Sequence, residues 1–166
     1  LIGTEKQDIK KVLVALDCSM ATAKEAAEWG ADLMLTHHPV FFRAVKRILP
    51  DAPETAAPYI LLRNGIGLFA AHTNLDAAEG GVNDCLCGVF GLENVEKLPP
   101  ESLGRIGTLP RAMTFGELAR LSESRLSTRV RITGDAGAVI RRIAVIGGGG
   151  AEELFDAKSA GADAYI

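Results

Sequence analysis

Cysteine is scarce in this 166-residue chain, with Cys18, Cys85 and Cys87 its only three. So small and odd a number cannot build a disulfide framework, and it points to a reducing compartment, so the expected location is the cytoplasm. Cys85 and Cys87 are spaced too closely for a zinc module and read as buried free thiols. Long hydrophobic runs are absent as well. None approaches the roughly 18 residues a membrane helix needs, and no membrane association is expected. Residues 1–11 lack the charged-then-apolar pattern of a secretory signal. No Met precedes Leu1, as in a processed or trimmed chain. Charge of one sign is lacking too. The net charge of −3 leaves no electrostatic footprint for nucleic acid, which is not an expected partner. The arginines at 125, 129, 131, 141 and 142 read as a solvated strand face.

What is present suits a packed α/β domain, with 48 % hydrophobic and 23 % charged residues. Val12 to Leu16 is a continuous apolar run and reads as a buried strand. A helix over 21–29 follows, with Ser19 or Thr22 as cap and Gly30 behind it, then a strand over 33–36. Further on, the pattern predicts a helix at 55–63, a strand at 67–72 and a helix at 80–90. Pro99-Pro100 marks a break. Thr114-x-x-Glu117 is a capping box for a helix to about Ser124. Strands are expected at 130–133, 140–146 and 164–166, with a helix at 152–160.

The first strand-helix-strand unit recurs. A shift of 131 residues carries Lys11 onto Arg142, Val12 onto Ile143 and Ala26 onto Ala157. Gly30-Ala31-Asp32 falls on Gly161-Ala162-Asp163 without a gap. Residues 11–36 and 142–166 should therefore superpose. Thr36 has its counterpart one residue beyond Ile166, and those of His37 and His38 would come next.

The three histidines, His37, His38 and His72, all follow expected strand ends, where α/β folds gather their sites. Consecutive residues in extended backbone point opposite ways, so His37 and His38 suit two neighbouring metals better than one. Pro39 biases His38 towards that extended conformation. In extended backbone His72, Asn74 and Asp76 would share a face, and the Asp76 carboxylate could bridge two ions. The other reading is a polar turn in which Asn74 and Asp76 cap a helix. Imidazole with carboxylate suits Zn, Fe, Mn or Co. Asp17, at the end of the first strand, could enter the same crevice. Gly147 to Gly150 follows a strand but fits neither G-x-G-x-x-G nor Walker spacing, so a tight turn beside the site is expected.

These residues resemble the dinuclear-metal-centre hexamer family, also called GTP cyclohydrolase I type-two homologues or Ngg-one-interacting-factor-three-like proteins. The resemblance is carried by Lys11-Val-Leu-Val-Ala-Leu-Asp17, Gly30-Ala-Asp-Leu-Met-Leu-Thr-His-His-Pro-Val-Phe-Phe42 and Ala71-His-Thr-Asn-Leu-Asp76. Gly80-Gly-Val-Asn-Asp84, Gly104-Arg-Ile-Gly107 and Gly161-Ala-Asp-Ala-Tyr-Ile166 add to it. It implies an α/β fold of two related βαβ-containing lobes around a central metal crevice, expected here at 1–98 and 99–166. It implies two divalent metal ions, with His37 and His38 serving one each and Asp76 bridging them. The family's remaining His and Glu ligands come from a C-terminal segment that this chain lacks, so the second lobe is expected to be truncated. A homohexamer and a small-molecule substrate, a nucleotide such as GTP, are implied too. The expected function is a metal-dependent hydrolase, with no catalytic residue assigned and no organic cofactor. The alternative is a non-catalytic, metal-stabilised ring that binds partner proteins.

Overall fold

The computed structural model describes residues 2–3, 8–99 and 103–166. Pro100, half of the expected Pro-Pro break, lies outside them. The chain divides into two compact units, Leu1–His72 and Thr73–Ile166. Both are mixed α and β, as expected for the fold class.

In the first unit β1 (Val12–Ala15), α1 (Met20–Trp29), β2 (Leu33–Thr36), α2 (Ala56–Arg63) and β3 (Gly67–Ala70) follow one another. The strands form one parallel sheet in the order β1-β2-β3. Ser19 caps α1 through a reciprocal capping box with Thr22. Met34, Leu61 and Leu68 pack with Ala23 and Ala26 of α1 on one face of the sheet. β1 departs from the buried strand expected of its apolar run. Its residues alternate, leaving Val12, Val14 and Leu16 exposed while Leu13 and Ala15 pack against the core. An edge strand carries half its side chains away from the one packed face.

The second unit contains α3 (Thr73–Ala77), α4 (Val82–Phe90), β4 (Glu93–Lys97), β5 (Arg105–Thr114), α5 (Phe115–Leu126), β6 (Val139–Val145), α6 (Leu154–Ser159) and β7 (Ala164–Tyr165). Its sheet runs β4-β5-β6-β7, antiparallel except for the β6-β7 pair. Both faces of β6 are buried over residues 143–145. Ile143 and Val145 join Cys87 and Phe90 of α4 and Leu118 of α5, whereas Ala144 joins Ala157 of α6. Thr114 and Glu117 form the expected capping box. No strand forms at 130–133, although Val130 and Ile132 favour one, because no described strand pairs with that segment. The basic stretch therefore spans loop, helix and β6, with Arg125, Arg129, Arg131 and Arg141 exposed. Cys87 is buried, and burial pushes its thiol up to about 11. Cys85, expected buried, is exposed. An i, i+2 pair on a helix sits on different faces.

The repeat is visible bond by bond. Val12 pairs with Leu33 and Leu13 with Met34. The residues 131 further on, Ile143 with Ala164 and Ala144 with Tyr165, pair in the same parallel register. Gly30 and Gly161 both take the left-handed conformation, at φ 69° and 81°. The Asp that ends each Gly-Ala-Asp turn has a defined task. Asp32 Oδ2 accepts the amides of Lys10 and Lys11, both at 2.8 Å. Asp163 Oδ2 accepts those of Arg141 and Arg142 at 2.9 and 2.8 Å. Each carboxylate thus ties the turn to the strand that opens its unit, just ahead of β1 in the first and within β6 in the second.

This gives an acid dependence. The Lys10 and Lys11 amides hold the Asp32 carboxyl below its ordinary 3.8. Its stabilising contribution is complete above that unfolded-state value and is lost as pH falls through the lower folded one. Urea midpoints measured from pH 7 down to pH 3 should fall less steeply below about pH 4 for Asp32→Asn than for the native protein. Parallel profiles would show that the two amide bonds add nothing to stability.

Candidate metal centre

The three parallel strands of the first unit end level with one another, because Ala15, Thr36 and Ala70 lie in register. Asp17 stands two residues beyond β1, His37 and His38 directly beyond β2, and His72 two residues beyond β3. Backbone bonds hold these exits in place. The His38 amide donates to the Leu16 carbonyl at 3.0 Å, and the Ala71 amide to that of Thr36 at 2.8 Å. Thr36, buried, donates its hydroxyl to the His38 carbonyl at 2.9 Å. All three imidazoles gather at this edge. Ring centroids lie 5.2 Å apart for His37 and His38, 5.1 Å for His37 and His72, and 6.0 Å for His38 and His72.

Hydrogen bonding sets how two of the rings present themselves. His37 Nδ1 lies 2.8 Å from the Ala71 carbonyl oxygen. A carbonyl only accepts, so Nδ1 carries the proton and the neutral ring has its lone pair on Nε2. His38 Nδ1 lies 2.7 Å from Asp17 Oδ1, with the same consequence. A carbonyl or carboxylate behind one ring nitrogen is how metal-ligating histidines are commonly oriented and made more basic. Asp17 thus enters the crevice as the partner of His38. Its position after the first parallel strand was the signal for it. His72, left outside the expected ligand set, stands as near His37 as His38 does.

Asp76 belongs to the second unit and is buried, 8 % exposed, in the short helix α3. The extended backbone expected through 72–76 is replaced by helix from Thr73 onward, so the one-face alternation does not apply. Gly81 makes this turn possible, since a Cβ there would collide with the Leu75 carbonyl oxygen. Gly147 to Gly149 form bends and no helix, and the Gly147 amide donates to Asn83 Oδ1 at 2.6 Å.

Imidazole nitrogens oriented from behind fit a borderline divalent ion such as Zn, Fe, Mn or Co. Among the described residues no group of three or more His, Cys, Asp or Glu could hold an ion. An ion bound by these histidines would therefore draw on further donors. No described helix is long and apolar enough to cross a membrane.

Comparison with known proteins places the chain in a family. A "GTP cyclohydrolase 1 type 2 homolog" of Clostridium perfringens is 39 % identical over 173 residues, covering 100 % of this chain and 66 % of the relative. One from Streptomyces coelicolor is 36 % identical over 178 residues, covering 100 % of this chain and 62 % of its own length. The chain thus spans somewhat under two thirds of the length of these relatives. The crystal structure of a Bacillus cereus protein related to NIF3 matches with a TM-score of 0.87 at 23 % identity, over 99 % of this chain and 74 % of that one, which supports the fold. The family model for Duf34/NIF3 (NGG1p interacting factor 3) matches residues 1–166, and the chain belongs to that family.

Proposed function

We propose that this protein is a divalent-metal-dependent hydrolase with a dinuclear centre, for which His37, His38 and Asp76 would supply ligands. The observation that carries the reading is the shared orientation of the two histidines. Each commits Nδ1 to an acceptor behind it, Ala71 or Asp17, and so has its lone pair on Nε2. What such ions supply is Lewis acidity, which makes water a nucleophile at neutral pH. The chain's own part is to hold the donors. Asp17 and the Ala71 carbonyl set the ring tautomers, and Thr36 and Leu16 pin the loop that carries the rings. The relatives' printed name points to a nucleotide such as GTP as substrate, and the reaction would be hydrolytic opening of its purine ring.

The test is turnover of GTP and other nucleotides by protein loaded with Zn, Mn, Fe or Co, beside a chelated sample and His37→Ala. Turnover should fall at least about 100-fold in both controls. Equal turnover by His37→Ala would overturn the proposal.

A second reading is a non-catalytic, metal-stabilised oligomeric ring that binds partner proteins; the self-association that both readings expect is supported by the exposed apolar side chains of the first unit. Val14 is 72 % exposed and Leu16 61 % exposed, the kind of patch that self-association covers. Sedimentation of the native protein beside Val14→Asp tests it, with dissociation of a large assembly expected and an unchanged monomer excluding it.

A further inference from the structure

Two motifs have so far been left without a role, Gly80-Gly-Val-Asn-Asp84 and Gly104-Arg-Ile-Gly107. Both meet at α3, the helix that carries Asp76. At five residues α3 is too short to hold its own geometry, and its last carbonyls have no donor within the helix. Two buried side chains donate to these carbonyls, beside the Gly81 amide, which donates to the Ala78 carbonyl at 3.0 Å. Asn83, 0 % exposed, donates Nδ2 to the Asp76 carbonyl at 3.2 Å and to the Leu103 carbonyl at 2.6 Å. Its Oδ1 accepts the Gly147 amide. Arg105, 2 % exposed, donates Nη2 to the carbonyls of Ala77 at 3.0 Å and Ala78 at 3.2 Å. Its Nη1 reaches the carbonyls of Leu103 and Gly104, and its Nε pairs with Asp84. Asp84 in turn accepts the Gly80 amide at 2.7 Å.

We infer that Asn83 and Arg105 are positioning residues for Asp76, holding three successive carbonyls at the end of α3 and so setting where the Asp76 carboxylate stands. The inference rests on the proposed role of Asp76 as a metal ligand. The residue types suit the task. A single planar amide both donates to Asp76 and Leu103 and accepts from Gly147. The rigid guanidinium fork serves four carbonyls and one carboxylate, which a lysine ammonium with three donors cannot. A cation also suits the negative end of a helix. Through Asn83 the glycine run that follows β6 is joined to the same turn.

The test combines Zn²⁺ titration with hydrogen exchange of the 73–81 backbone in the native protein, Asn83→Ser and Arg105→Lys. Zn²⁺ affinity should fall about 10–100-fold in each variant. Exchange across 73–81 should quicken about tenfold or more while β5 and β6 stay protected. Arg105→Lys, which keeps the charge beside Asp84, carries the test if Asn83→Ser does not fold. Leu118→Ala, a core truncation in α5, should lower thermal stability yet keep native Zn²⁺ affinity. A purely structural role would instead make affinity follow melting temperature in all three. Asp76→Asn separates the two readings. Native Zn²⁺ affinity in Asp76→Asn would overturn the ligand role and the inference with it. Loss of zinc in Asp76→Asn, with native affinity and slow 73–81 exchange in Asn83→Ser and Arg105→Lys, would overturn the inference alone.

Discussion

His38→Ala is expected to lose at least about 100-fold in Zn²⁺ affinity, because a ligand's removal should cost no less than the loss of one of its supporting partners. The same variant should unfold within about 1 kcal/mol of the native protein in urea. The His38 side chain is 42 % exposed and its partner Asp17 59 %, so their contact is a solvated surface pair. Nothing like the roughly 2–5 kcal/mol of a large core truncation is at stake. Zinc titration and urea denaturation followed by circular dichroism read the two quantities separately. A metal-free variant that is already unfolded would make His38 a structural residue. Native zinc affinity would remove it from the centre.

Arg105→Met should cost about 3–5 kcal/mol of stability. The substitution matches the length of the aliphatic stem but deletes every donor. The Ala77, Ala78, Leu103 and Gly104 carbonyls lose the guanidinium, and Asp84 loses its cation. The Arg105 side chain is only 3 % exposed, so water has poor access to the space it leaves. Asp84 is 28 % exposed and can rehydrate, which argues for the lower end of the range. Urea unfolding in the absence of metal is the measurement. A loss under about 1 kcal/mol would show that the carbonyls find other donors and that the network does not hold the turn.

Much of the fold was legible because it is built from local signals. Ser19 with Thr22 and Thr114 with Glu117 are caps written within four residues, and both form. The constant 131-residue offset survives as identical strand register, since Gly30 and Gly161 end their helices in the same left-handed turn. Other elements left little trace. β4 is Glu-Asn-Val-Glu-Lys, exposed throughout, and is a strand only because β5 lies beside it. β5 contains Gly107 and Pro110, which read against a strand. The ladder between β5 and β6 is irregular between Thr108 and Met113, and Pro110 falls within that interruption. Conversely, Val130 to Thr133 has the composition of a strand, and no described strand pairs with it.

The sequence by itself determined that three histidines follow strand ends, that Pro39 disfavours helix at His38, and that one strand-helix-strand unit occurs twice. Each is a matter of residue order over a few positions. Only the tertiary structure decided that Asp17 backs His38, that His72 joins the cluster, that Asp76 rides on a helix, and that Asn83 and Arg105 hold that helix. The partners in these bonds lie between 7 and 28 residues apart in the cases of Asn83 with Asp76 and Arg105 with Ala77. A hydrogen bond of that reach depends on where two segments are packed, and no periodicity or spacing along one segment encodes it.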